Sequence, residues 1–335
     1  MMKLTRLSKA LSAAMLAGSL SLAATAEAAT LKVSHIRPQG AIIDVELKEF
    51  AKQVDSSTDG DVKIKIFAAS ALGDYTTVQE RISVGAIDMA VQPAATAASR
   101  KMQISAFPYV AENWAQARKI YGPGGAIYNA MKGLYAQQDI AMLAAYPVYF
   151  GGVALNREAV NPGDPNTDKG IKVRVPGIKS FQLTSDALGY ISSPIPFSEA
   201  FTAVQTGVVD GVIGSGAEGY YASFRDVTKT YIPVNTHFEV WYMIVNAETL
   251  ADLNDEDRQA LQQAAADFET KRWGKAESDQ SAYEQKLAEY GATIVKLSDA
   301  QLAAAAEKVR AEVWPQILQD VGKEWGQGIL NQINQ

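Results

Sequence analysis

Along most of the chain, short apolar runs alternate with longer amphipathic ones, the rhythm of an α/β fold rather than of a β-sandwich or a helical bundle. Leu31 to His35 reads as a strand. After the loop Ile36 to Gly40, a helix is expected from about Ile42 to Val54, with Val45, Leu47, Phe50 and Val54 near helical spacing. In Val62 to Phe67, Val62, Ile64 and Ile66 alternate with Lys63 and Lys65, which predicts a strand with one buried and one wet face. A helix Tyr75 to Val84 then leads through Gly85 into a strand Ile87 to Val91, and helices follow at Trp114 to Tyr121 and Gly125 to Gln138. Strands are expected at Ala141 to Ala145 and at Tyr149 to Leu155. The Pro/Gly/Asn/Asp-rich loop Asn161 to Gly170 is a candidate lobe boundary. The rhythm then restarts: strand Ile171 to Val175, helix Ser180 to Leu188, strand Ile191 to Pro196, helix Ser198 to Thr206, strand Val208 to Ile213. From Asp255 to Tyr290 there is no Pro and one Gly, Gly274, so one unusually long helix is expected, long enough to cross two lobes. Helices of about Ser298 to Glu312 and Trp314 to Ile329 close the chain.

The first 28 residues break this pattern. Lys3, Arg6 and Lys9 precede an Ala/Leu/Ser-rich stretch from Ala10 to about Ala24, and Ala26-Glu27-Ala28 supplies the small residues of a cleavage site. This reads as a secretory signal peptide, because the apolar run is shorter than the roughly 20 residues of a spanning helix and is interrupted by Ser12, Gly18, Ser19 and Ser21. Composition narrows the function. The 335 residues are 47% hydrophobic and 20% charged, enough to bury one large core or two smaller ones. A net charge of -6 with scattered basic residues argues against nucleic acid as a partner. The absence of Cys excludes disulfides, thiolate metal ligands and a cysteine nucleophile, and two His, His35 and His237, leave little for a zinc site or a histidine-dependent triad. No cofactor or metal is implied.

The remaining motifs carry unequal weight. Gly122-Pro123-Gly124-Gly125 lacks the spacing of phosphate-binding loops and reads as a helix-start turn. Ser215 in Gly214-Ser215-Gly216 lacks the outer glycines of a nucleophile elbow, since Ile213 and Ala217 occupy those positions. In Gly170-Ile-Lys-Val-Arg-Val-Pro176, alternation puts Lys172 and Arg174 on one strand face, which is either a solvated face or a ligand-facing guanidinium at the carboxyl end of a strand. Phe197 follows the Pro194-Ile-Pro196 step at the mouth of the next strand. Tyr75, Tyr149, Tyr220, Tyr221, Phe238, Trp241 and Tyr242 offer aromatic walls for a pocket, of which strand alternation allows only some to face one cleft.

Gly73-Asp74, Gly85-Ala-Ile-Asp88-Met, Gly170-Ile-Lys-Val-Arg174-Val-Pro176, Pro196-Phe197-Ser-Glu199-Ala-Phe and Gln205-Thr-Gly207-Val-Val-Asp210-Gly211 occur in this order behind a signal peptide. In that order the chain, from about Leu31 to Ile329, resembles the extracytoplasmic solute receptors of TRAP transporters (DctP type). The resemblance implies a two-lobe periplasmic binding protein fold with hinge strands and a long helix spanning both lobes: residues 29–151 plus about 240–279 as lobe I, 152–239 plus about 280–335 as lobe II. It implies a periplasmic, monomeric receptor that closes over a small organic acid and hands it to the TRAP membrane permease, with no chemistry of its own. By the same resemblance Arg174 pairs with the ligand carboxylate and Phe197 packs over the ligand; Trp241, Tyr149, Tyr75, Gln92 and Ser215 are the further candidate contacts. Arg37, on the exit loop of the first strand, is either a second cation for a diacid or sulfonate or a surface residue. The chain departs from the family's sialic-acid receptors, having Gly151 in place of a second Arg and Gly214-Ser215 in place of an Asn-Pro step, so a smaller or more apolar carboxylate is expected. A secreted acid/base enzyme on a two-lobe scaffold and a ligand sensor for a membrane receptor are the alternative functions, and no motif supports the enzyme.

Overall fold

A computed structural model describes residues 28–334, so the proposed signal peptide lies almost wholly outside the described residues. Eleven strands, β1 (Ala29–Ser34), β2 (Val62–Phe67), β3 (Met89–Gln92), β4 (Ile140–Phe150), β5 (Gly152–Leu155), β6 (Lys172–Val175), β7 (Ile191–Pro194), β8 (Gly211–Ser215), β9 (Thr230–Ile232), β10 (Phe238–Asn246) and β11 (Thr293–Ile294), form two sheets. The first has the order β2-β1-β3-β10-β4 and the second β11-β9-β5-β8-β6-β7. β1 runs parallel to β2 and β3, and β6 parallel to β7 and β8, with helices as crossovers. β10 and β5 run antiparallel to their neighbours.

The chain crosses between sheets at Gly151 and again at residues 233–237. The two crossings are hydrogen-bonded to each other, Gly151 N–H to the His237 carbonyl at 2.8 Å and Thr236 N–H to the Gly151 carbonyl at 2.9 Å. A Cβ at Gly151 would stand 2.3 Å from the His237 ring, so glycine is what allows these segments to approach.

Several expected elements are corrected. The strands expected at Ala141 to Ala145 and Tyr149 to Leu155 are instead one strand through Pro147 and a short one after Gly151. Pro147 is tolerated because β4 is an edge strand and its ladder with β10 shifts register there. The loop Asn161 to Gly170 is not a boundary between sheets, since β5 and β6 on either side share the second sheet. The single helix expected over Asp255 to Tyr290 is two, Asp255–Trp273 and Ala276–Glu289, separated at Gly274-Lys275. The first packs on β4 and on the helix Ile42–Ser57, the second on the helix Ala217–Phe224, so the break lies where the chain passes from one sheet's layer to the other's. The interruption expected near Pro315 is absent: one helix runs Asp299–Val321, carried through the proline by Val309, Val313, Ile317 and Leu318 on its buried face, and turns at Gly322 (φ +94°). The last helix, Lys323–Ile333, packs on Ala126–Ala136 beside the first sheet. Val45 is 46% exposed, and Ile43 takes its expected place in the buried stripe. Gly125 opens the helix Ala126–Ala136 in a turn so tight that a Cβ would meet the Ile120 carbonyl at 2.3 Å.

Candidate functional site

Between the sheets lies a tight cavity, walled by Arg37, Tyr75, Tyr149, Glu239 and Trp241 from the first sheet's side and by Arg174, Pro176, Phe197, Gly214 and Ser215 from the second's. Its position follows from topology. Arg37 lies on the loop that leaves β1, Arg174 near the carboxyl end of β6 and Ser215 at that of β8, the crevice where open α/β sheets bind ligands. Tyr75 and Phe197 are the first residues of helices Tyr75–Ser83 and Phe197–Gln205. Asp74 joins these two helix starts, capping its own helix through Thr76 N–H at 3.2 Å and accepting from Ser198 N–H at 3.3 Å.

Two guanidiniums face this space. Arg37 is fully buried, with Nε 3.2 Å from Glu218 Oε2 and Nη2 donating to the Tyr149 hydroxyl at 2.9 Å; its planar head lies over the Trp241 ring (4.8 Å) and against Phe197 (5.3 Å). Gly219 makes room for it, since a Cβ there would meet Nη2 at 2.3 Å. The ion pair therefore spans the cleft, from the loop after β1 to the helix Ala217–Phe224 that follows β8, and the reading of Arg37 as a surface residue is corrected. Arg174 is equally buried, at 1% exposure, but its one hydrogen bond among the described residues is from Nε to the Ile195 carbonyl at 2.8 Å, and no described carboxylate lies within 4 Å. Burial pushes its guanidinium below the ordinary arginine value, although Tyr75 and Asp74 act in the opposite direction. A solvated strand face is thus excluded: Lys172 is exposed and Arg174 is not. Phe197 lies 5.7 Å from the Arg174 head, so both arginines flank one ring. Burial pushes the Tyr75 hydroxyl up to about 12, so it is a neutral donor at physiological pH.

Seven of the eight candidate contacts therefore line one cavity, and Gln92 does not. Its Nε2 donates to the Tyr75 carbonyl at 2.7 Å, one layer behind the wall. Among the other aromatics, Phe238 and Tyr242 are core, Tyr220 hydrogen-bonds the Gly152 and Val212 carbonyls at 2.8 Å, and Tyr221 packs on Tyr283. Three residues went unrecognised. Glu239 accepts from Trp241 Nε1 at 2.6 Å and lies 2.8 Å from His237 Nε2, and its spacing of two from Trp241 on one strand is the signal that would have placed it. Glu218 left no signal, because it reaches Arg37 across 181 positions of sequence. Gly214 (φ +111°) brings β8 so close to the Arg174 strand that a Cβ would meet the Pro176 ring at 2.7 Å. Among the described residues no group of three or more His, Asp or Glu side chains is arranged to hold a metal ion, and no helix is long and apolar enough to cross a membrane.

Residues 33–320 match the family model for bacterial extracellular solute-binding proteins, family 7. Among curated proteins, the chain is 27% identical over 294 residues to a solute-binding protein of Roseobacter denitrificans, covering 86% of this chain and 87% of that one. It is 25% identical to the C4-dicarboxylate-binding periplasmic protein DctP of Rhodobacter capsulatus, with 91% of each chain covered. Among solved structures, the sugar acid binding protein DctPAm of Advenella mimigardefordensis, in complex with galactonate, superposes with a TM-score of 0.84 at 20% identity, covering 92% of this chain and 98% of that one. The fold is thus that of the two-lobe solute receptors. A match along most of the chain to a family of binding proteins sets the acid/base enzyme aside, and the chain belongs to family 7 of the bacterial extracellular solute-binding proteins.

Proposed function

We propose that this protein is the periplasmic receptor of a TRAP-type transporter, that it takes up a small organic acid with the carboxylate on Arg174, and that its closed form delivers the ligand to the membrane permease. The observation that carries the reading is the buried Arg174 guanidinium, which has one carbonyl partner and no carboxylate. Holding a cation in such a place is costly unless an anion completes it. A carboxylate matches the fork of the guanidinium, and the Tyr75 hydroxyl is a further donor lining the same cavity. Phe197, pressed between the two guanidiniums, is the ring that would cover the ligand.

The relatives' ligands support an organic acid, since the Rhodobacter protein is named for C4-dicarboxylates and the Advenella structure holds galactonate. The position aligned with the second Arg of sialic-acid receptors is Gly151, where no side chain fits against His237, in keeping with a different acid. Closure is proposed as a rotation of lobe I (29–151 plus about 240–279) against lobe II (152–239 plus about 280–335) about Gly151 and residues 233–237, with the protein acting as a monomer.

A thermal-shift screen of residues 29–335 against organic acids, amino acids, sulfonates and neutral sugars tests this. A ligand at about 100 times its Kd adds about 2.7 kcal/mol of stability. The expected result is a carboxylate hit that Arg174→Ala abolishes. A screen in which only neutral sugars shift the transition, or a hit bound equally well by Arg174→Ala, contradicts the assignment.

A further inference from the structure

The charges around the cavity do not balance in the way a dicarboxylate needs. Arg37 is paired with Glu218 at 3.2 Å and donates from Nη2 to Tyr149, leaving Nη1 without a partner among the described residues. That leaves Arg174 as the one cation lining the cavity with no carboxylate within 4 Å among the described residues, and Glu239 as an anion on the opposite wall. Glu239 is oriented firmly: Trp241 Nε1 donates to Oε1, and Oε2 lies 2.8 Å from His237 Nε2. His237 is fixed in turn by the Thr236 hydroxyl, 2.9 Å from Nδ1, and by the Phe181 ring at 4.7 Å. Thr236 and Glu239 thus hold the two imidazole nitrogens, and Trp241 and His237 hold one oxygen each of the Glu239 carboxylate. A carboxylate has about four lone-pair sites. These neighbours use two, so Glu239 can accept two more hydrogen bonds, and the cavity is the space it borders that no side chain fills.

We infer that the ligand is a small zwitterion, its carboxylate on Arg174 and its protonated nitrogen on Glu239, and that Glu239 makes the site reject dicarboxylates. The inference rests on the receptor reading of the same cavity and adds its substrate class. A zwitterion sets an anion against Arg174 and a cation against Glu239 and leaves the closed cleft with no net addition of charge. A dicarboxylate would bring a second anion into a water-poor space where the spare cation is already used and Glu239 repels it. A hydroxy acid meets Glu239 with a neutral hydrogen bond, weaker than a charge-assisted one.

The test is calorimetric titration with skeleton-matched sets: 4-aminobutyrate, 4-hydroxybutyrate, butyrate and succinate; proline, tetrahydrofuran-2-carboxylate and cyclopentanecarboxylate; and the standard amino acids. Wild type, Glu239→Gln and Arg174→Ala are compared. Gln keeps the shape and an acceptor for Trp241. On wild type, a zwitterion is expected to bind at least about tenfold more tightly than its dicarboxylate or hydroxy-acid counterpart. Glu239→Gln should weaken that zwitterion by at least about tenfold and reduce its advantage over succinate by at least as much. The inference is overturned if no zwitterion binds wild type, if succinate or a hydroxy acid binds at least as tightly as its zwitterionic match, or if Glu239→Gln binds the zwitterion unchanged. Where Arg174→Ala abolishes binding but Glu239→Gln is indifferent, only the zwitterion class fails; where Arg174→Ala binds like wild type, the receptor site itself fails.

Discussion

Of the three described arginines that are 1% exposed, Arg272 and Arg174 are treated in opposite ways. Arg272, at the end of the helix Asp255–Trp273, donates from Nε to the Pro147 carbonyl at 2.8 Å, pairs with Asp279 across the helix break, lies 3.7 Å from Glu46 and rests over the Tyr146 ring at 5.0 Å. Burial opposes its charge, yet Tyr146, Glu46 and Asp279 outweigh burial and hold its guanidinium above the ordinary value. Arg174 has one carbonyl, and burial prevails. One cation is completed by the fold and ties β4 to the two helices that pass between the sheets. The other is left for something that arrives later. Burial alone does not distinguish a structural charge from a binding one; the count of partners does.

The largest effect belongs to the completed charge. Arg272→Ala leaves Glu46 and Asp279 without their cation and is expected to destabilise the protein by about 3–5 kcal/mol in urea unfolding. A loss under about 1 kcal/mol would remove the contrast, since it is what an exposed pair gives.

Glu269, one turn before Arg272, sharpens the contrast from the acid side. It is buried with no described base within 4 Å, and burial pushes its carboxyl up to about 7 from 4.5. The folded protein therefore holds a proton that the unfolded chain releases, so its contribution is fully present below about pH 4.5 and is lost as pH rises through about 7. Glu269→Gln should stabilise by about 1–3 kcal/mol at pH 8 and by little at pH 4. Equal Tm shifts at both pH values would show that Glu269 does not titrate in this window.

The smallest effect is expected at the exposed mouth of the cleft. Ser198 donates there to Asp74, from its N–H at 3.3 Å and from its hydroxyl at 3.4 Å. Ser198→Ala removes only the hydroxyl contact and should weaken ligand binding by no more than about fivefold, seen as a faster release rate. A loss as great as that of a buried charge would move the decisive contact from the cavity to its rim.

Much of the fold was legible because its signals are local. Alternation in Val62 to Phe67 gives an edge strand, and Asp74, Asn113 and Ser298 cap helices where short-range chemistry says they should. The breaks expected after Ala145 and after Glu312 do not form, because packing from distant segments carries the strand past Pro147 and the helix past Pro315. Arg174, Phe197, Trp241 and Tyr149 could be named from motif and resemblance. What could not be read was which charges meet: Arg37 with Glu218, or Arg272 with Glu46, pairs created by the approach of segments roughly two hundred residues apart. Glu239 is within reach of a period-two argument from Trp241, on a strand whose strongest sequence signal is its aromatic residues.

The most direct measurement is the stability of Arg174→Met, unliganded and then saturated with a carboxylate that binds wild type. If Arg174 is a charge the fold leaves incomplete, the unliganded variant will be at least as stable as wild type, because a buried uncompensated cation has been replaced by an apolar side chain of similar length, and the ligand-induced rise in Tm will vanish. An unliganded variant destabilised by several kcal/mol, with the ligand-induced rise intact, would make Arg174 a structural residue like Arg272 and contradict its assignment as the ligand anchor.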